Sequence, residues 1–326
     1  MKQLVQFATG VALVCALVPA YACDVCGCSG AGNTLGLLPL VQRHFIGLRT
    51  QVQSFETAPH HTGDFLATET YHSFDLWGRW QPHRRVQVIG ILPYVIANHR
   101  NGVTPTLQSS GIGDAMALAQ FSVLDPVRQN KRLFQHTIQI GAGVKLSTGT
   151  FSIADSEGEQ LPANLQPGTG STDYLLSGFY AIRKGSWGVS LDAIARLSTE
   201  NPKQYHFGNR LNAGVQVFWS KTIRRWNFVP AVGLSFDGRQ EDRYLDKWKG
   251  ETGGYALATT LGVQVFRGNL AFNIQWSLPA VHQMGDGLIT PVYQLGAGVA
   301  VLIPNKKSPK ATTPVNVFQN VSAKSN

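Results

Sequence analysis

Three cysteines stand close together near the start of the chain, Cys23, Cys26 and Cys28, in a C-x2-C-x-C spacing. Thiolates so placed can converge on a soft ion, Cu(I) or Zn(II), with a histidine or a second chain completing the shell. His44 and the His60-His61 pair are candidate extra ligands. Two other chemistries compete for the same atoms. Cys23 can carry a lipid, although Ala20-Tyr21-Ala22 lacks the large aliphatic residue expected three places before a lipidated cysteine. Alternatively, two thiols close a disulfide and leave the third free.

The count of thiols is odd because Cys15, the fourth cysteine, lies in an export signal. Met1-Lys2 precedes a mostly apolar run from Leu4 to Leu17, and Ala20-Tyr21-Ala22 supplies an A-x-A cleavage site. This is the pattern of a secretory signal peptide, too short for a membrane span. The expected organisation is a signal peptide at 1–22, a Cys/Gly-rich segment at 23–43, a barrel at 44–303 and a polar tail at 304–326.

Composition narrows the class. Only 14% of the 326 residues are charged, low for a soluble globular protein, while Gly (34 residues) and aromatics (10%) are abundant. No segment after the signal offers 18 uninterrupted apolar residues, which argues against membrane helices. Export without a membrane helix, few charges and much Gly point to a transmembrane β-barrel, with a soluble β-sandwich as the alternative. The net charge of +9 does not indicate nucleic acid. The basic residues fall in separate short connectors, Arg84-Arg85, Arg128 with Lys131-Arg132, Arg183-Lys184, Lys221 with Arg224-Arg225, and Arg267, and form no single phosphate-tracking patch. Anionic lipid headgroups or periplasmic polymers suit them better.

Period-2 alternation carries the secondary structure. From His136 to Leu146, Ile138, Ile140, Ala142 and Val144 share one face while Thr137, Gln139 and Lys145 share the other. Leu270, Phe272, Ile274, Trp276 and Leu278 alternate in the same way with Ala271, Asn273, Gln275 and Ser277. Twelve such segments are predicted, at 44–55, 68–81, 86–98, 111–123, 136–147, 171–183, 187–198, 210–220, 228–238, 255–266, 270–279 and 290–302. Most exceed the roughly 5–6 residues of a soluble strand and match the roughly 9–11 that a tilted strand needs to cross a bilayer. Connectors alternate between mostly short after even-numbered strands and long, polar ones after odd-numbered strands, the layout of an all-β, outer-membrane barrel. Trp77, Trp80, Tyr94, Tyr174, Trp187, Trp219, Trp226, Trp248, Tyr255, Trp276 and Tyr293 fall near predicted strand ends, where interfacial rings prefer to sit.

Strand parity nominates a polar inner face: Arg49, Gln51, Asp75, Arg79, Lys145, Asp192, Arg196, Gln216, Asp237, Gln264, Asn273 and Gln275. Charges of both signs there either pair across a narrow interior or ring a small selective pore. Catalysis is not expected. His72, Ser73 and Asp75 lie together, but parity puts His72 opposite the other two; Ser73 with His99 depends on register, and no G-x-S-x-G elbow occurs.

Two Gly-rich strings remain, Gly111-Ile112-Gly113-Asp114 and Pro167-Gly168-Thr169-Gly170-Ser171-Thr172-Asp173. Their glycines suit positive-φ positions where a long loop re-enters a strand, with Asp114 and Asp173 capping the turn or facing the lumen. Neither is a phosphate loop, since no helix follows. Both strings resemble motifs of the barrel family named for the MetA pathway of phenol degradation. Cys23-Asp24-Val25-Cys26-Gly27-Cys28, followed by Leu38-Pro39-Leu40 and Phe45-Ile46-Gly47-Leu48-Arg49, is similar to a group of Bacteroidetes-type outer-membrane proteins. The resemblance covers most of 44–302, and the cysteine prefix is not part of the phenol-pathway pattern. It implies an outer-membrane channel for small hydrophobic solutes, with membrane lipid as its surroundings and no nucleic-acid partner. The other expectation is a non-transporting structural or metal-handling barrel, with copper or zinc at the cysteines.

Overall fold

A computed structural model describes residues 43–58, 66–100, 106–124, 134–152 and 161–303. The expected signal peptide, the cysteine segment with Cys23, Cys26 and Cys28, the His60-His61 pair and the tail from 304 onward all lie outside the described residues.

The described chain is almost entirely strand. In order it forms β1 (His44–Thr57), β2 (Ala67–His83), β3 (Val86–Arg100), β4 (Leu107–Ile112), β5 (Met116–Leu124), β6 (Gln135–Lys145), β7 (Asp173–Lys184), β8 (Trp187–Leu197), β9 (Tyr205–His206), β10 (Arg210–Trp219), β11 (Lys221–Ile223), β12 (Trp226–Arg239), β13 (Asp242–Tyr244), β14 (Lys247–Lys249), β15 (Gly254–Arg267), β16 (Leu270–Met284) and β17 (Ile289–Ile303). Sequential strands pair antiparallel, and β1 pairs β17 from His44↔Ile303 to Thr57↔Ile289, closing the sheet. β4 and β5 are two halves of one wall strand and β11 is a turn-side stub, so the closed wall has twelve strands. β9, β13 and β14 form a separate small sheet above the wall, which alternation in such short pieces does not reveal.

Each predicted segment falls on a wall strand, with two departures. The segment 111–123 is not one strand: Gly113–Ala115 interrupt it between β4 and β5, and the inward parity shifts there. The connector rhythm is also looser than expected. The wall strand ending at Leu124 resumes only at Gln135, whereas β16 and β17 are joined by a tight turn, Gly285–Leu288.

Parity explains why this chain sits in a bilayer. Outward residues are large and apolar and remain uncovered, Leu48 at 61%, Ile274 at 57% and Leu176 at 52%. In water a continuous belt of such side chains would be strongly unfavourable; in lipid it is required. A closed barrel also leaves no free sheet edge, and apart from a gap between β16 and β17 the neighbouring wall strands satisfy each other's backbone polar groups. The protein is a transmembrane β-barrel of the outer membrane.

The inner face divides into two zones. Towards the short turns, Phe45, Trp77, Leu118, Phe218, Val229 and Phe266 pack together as a buried apolar core inside the barrel. Phe45 meets Trp77 edge-on, centroids 4.6 Å apart. Trp77 was expected at the membrane interface, but it points inward and is 2% exposed. It stands in β2 between Asp75 and Arg79 on the same face, so alternation itself fixes its direction. Towards the long loops the inner face is mostly polar.

Candidate functional site

Arg49 and Asp75, opposite each other on β1 and β2, form a buried ion pair with Nε 2.6 Å from Oδ2; Ser73 also donates to Asp75. The Arg49 guanidinium lies 5.2 Å from the Trp77 ring centroid. Arg79 donates through Nε and Nη2 to the Arg43 carbonyl at 2.9 and 2.7 Å, and covers the Phe45 ring. Gln264 is buried, and Gln216 and Asp192 are partly buried on the inward faces of β10 and β8. Gln275, Asn273, Gln51 and Arg49 share a small cleft with Gln294, whose amide donates to Gln51 at 3.3 Å. The lumen-wall charges therefore stand mostly in pairs rather than as a ring of one sign.

The densest polar cluster gathers the two Gly-rich strings. Lys145, fully buried at the end of β6, places Nζ 2.9 Å from Asp114 Oδ2 and 2.9 Å from Asp173 Oδ2. Arg196 Nε lies 3.7 Å from that same Asp173 oxygen. Asp114 stands at the break between β4 and β5, where the displaced residue can turn into the lumen. It accepts from the backbone N–H of Gly149 at 3.0 Å and of Thr169 at 2.9 Å, and from Thr169 Oγ1 at 2.6 Å. Two loop arms are thereby tied to one carboxylate. Their backbones almost touch: a Cβ on Gly149 would lie 2.6 Å from Gly168 Cα, so neither position admits a side chain.

From this anchor the chain before β7 crosses the long-loop mouth. Leu161 and Leu165 are buried against Phe55, Tyr71, Ala97, Met284 and Ile289. Asn164 Nδ2 donates to Glu69 Oε1 at 3.2 Å and to Tyr71 Oη at 3.3 Å, Glu69 also contacts His99 at 3.1 Å, and Ser109 donates to the Leu165 carbonyl. Residues 161–172 form a lid that buries Leu161 and Leu165 together with the polar Asn164, Gln166, Thr169 and Ser171.

Beside the lid is a partly open cleft with a free volume of about 70 Å³. Its apolar lining includes Phe55, Met284, Pro279 and Pro291, and its polar side is Gln53, Gln294, Asn212, Arg210 and Asp237. Arg210 and Asp237 pair with Nε 2.7 Å from Oδ1, and Asn212 donates to the same carboxylate at 2.8 Å. The wall is weakest here. β16 and β17 pair at Ser277↔Gln294 and next at Met284↔Ile289, with no ladder between. Pro279 and Pro291 lie in that gap, where a residue lacking an N–H costs no ladder bond.

Alternation could nominate Lys145 and Arg196 but not the partners that long loops bring to them. Local pattern does not link Glu69, Tyr71 and Asn164, since Asn164 lies 93 residues from Tyr71 and 95 from Glu69. His72 faces away from Ser73 and Asp75, and His99 engages Glu69 rather than Ser73. His44 Nδ1 accepts the Gln81 backbone N–H at 2.9 Å. Among the described residues no three His, Cys, Asp or Glu side chains converge as a metal site.

No family model and no curated protein matches this chain. Solved structures do. The COG4313 outer membrane channel from Pseudomonas putida F1 superposes with a TM-score of 0.61 at 15% identity, over 80% of this chain and 96% of that one. The beta domain of the Bordetella autotransporter BrkA gives 0.48 at 11% identity, over 80% and 100% of the two chains. The transport unit of the autotransporter AIDA-I from Escherichia coli gives 0.46 at 10% identity, over 81% and 91%. The first of these places the chain, at the level of fold, among outer-membrane β-barrels.

Proposed function

We propose that the barrel passes small apolar or amphiphilic molecules across the outer membrane. The observation that carries this reading is the amphipathic cleft beside the unladdered β16–β17 seam, whose apolar residues Phe55 and Met284 also pack in the cluster with the lid leucines. Ligand cavities combine an apolar lining with a few fixed polar groups. Phe55 and Met284 would receive an apolar body, and Arg210, Asp237 and Asn212 a polar end. The buried core around Trp77 and Phe218 disfavours a wide aqueous path, so sugars and ions are poor candidates. The name of the Pseudomonas structure, an outer membrane channel, agrees with this reading.

Ala258 lines the cavity, and Ala258→Trp would fill it while the strand around it remains paired. Uptake of an apolar probe by cells carrying the variant should fall about tenfold, with the heat-modifiable band of the folded barrel unchanged. Undiminished uptake with the cavity filled would end the reading.

A further inference from the structure

The basic connectors that are scattered in sequence come together in space, because all of their described members belong to one end of the barrel. The short turns at 84–85, 185–186, 220–225 and 268–269 share that rim, and no acidic residue lies within four positions of any of them. The acidic loop residues Glu200, Glu241, Asp246, Glu251 and Asp286 all lie towards the opposite end.

Over β6 to β15 the rim cations stand against outward aromatic rings. Lys184 Nζ lies 5.0 Å from the Phe134 centroid, Lys221 Nζ 5.5 Å from that of Trp219, and Arg267 Cζ 4.7 Å from that of Trp226. The register makes the arc continuous, with Lys184↔Trp187, Trp187↔Trp219 and Trp226↔Arg267 as lateral neighbours. Trp187 and Phe134 remain 62% and 51% exposed, and the Trp187 and Trp219 rings lie 6.3 Å apart. Indole and phenyl rings at strand ends mark the level of the lipid headgroups. A cation held against such a ring stands at the height of the phosphate.

We propose that this arc binds the anionic headgroups of phospholipids, of phosphatidylglycerol type, in the leaflet at the short-turn end. Charge complementarity and the shared level of rings and cations select a lipid headgroup over a soluble anion. The proposal is independent of what the cavity carries.

The test reconstitutes the mature protein with brominated phosphatidylglycerol or brominated phosphatidylcholine and reads quenching of tryptophan fluorescence. Phosphatidylglycerol should be preferred about threefold or more at low salt, and the preference should shrink at about 0.5 M salt. The combined variant Lys184→Gln, Lys221→Gln, Arg225→Gln and Arg267→Gln should abolish it, while Lys203→Gln with Lys247→Gln at the opposite end should leave it intact. If the fourfold variant fails to fold, the pairs Lys184→Gln with Lys221→Gln and Arg225→Gln with Arg267→Gln should each remove about half of it. Equal quenching by the two lipids, or a preference that survives loss of the rim cations, would overturn the proposal. So would its abolition by soluble glycerol phosphate, which would identify a free-phosphate site instead.

Discussion

Lys145 holds together what the chain order keeps apart. Its ammonium sits between Asp114 and Asp173 with no solvent exposure, and Thr169 donates to Asp114 beside it. Taking a charged partner out of a buried group of this kind is expensive, because Asp114 is left without a cation and Asp173 with only the more distant Arg196, both away from water. Lys145→Met should therefore lower stability by about 3–5 kcal/mol, visible as a lower temperature for the gel shift of the folded barrel. Adding Asp114→Asn should recover part of the loss, since one uncompensated charge then disappears. A Lys145→Met barrel with unchanged melting would refute this role. Alternation nominates Lys145 for the inner face because Thr137, Gln139 and Lys145 share a parity. Nothing in its own segment reveals that Asp114 and Asp173 meet it there, since the bulge that redirects Asp114 leaves no trace in alternation. Cys23, Cys26 and Cys28, the residues with the most chemistry on paper, lie outside the described residues.

The element that distinguishes this barrel from a plain cylinder is the lid. Leu161 and Leu165 cover the long-loop mouth, each contributing about 1.5–3 kcal/mol by burial, and the Gly149–Gly168 crossing with the Asp114 anchor fixes the lid's root. Gly168→Ala places a methyl group against the Gly149 backbone and should loosen that root. Limited proteolysis should then cut within 161–172 at least several-fold faster while the wall strands stay protected. Equal cleavage rates in the two proteins would show that the crossing does not hold the lid. The Pro167–Asp173 string was legible as a loop re-entering a strand, but of the glycines expected at positive φ only Gly170 has it, and Gly168 is instead required by its contact with Gly149. Its docking partner was not legible, because a loop's destination depends on the closed wall, not on its local pattern. The same limit hides β9, β13 and β14, which are two or three residues long and carry no readable period.

At the scale of the whole molecule, strand length and period 2 were sufficient. A run such as Leu270 to Leu278 is too long for a soluble strand and is apolar on one face only, and twelve such runs close a wall. Parity also orients Trp77, yet ring chemistry suggested the interface; the apolar packing of the lower lumen decides its place. That packing fills the short-turn end of the lumen, and the cleft at the β16–β17 seam is the place the proposed function assigns to an apolar solute. The most direct measurement compares two fluxes in lipopolysaccharide-containing proteoliposomes, whose outer leaflet resists apolar solutes. A small apolar fluorophore should enter at least several-fold faster with the protein than without it, while sugars of glucose size should produce no more swelling than empty liposomes do. Rapid sugar-driven swelling, or no acceleration of the apolar probe, would contradict the account.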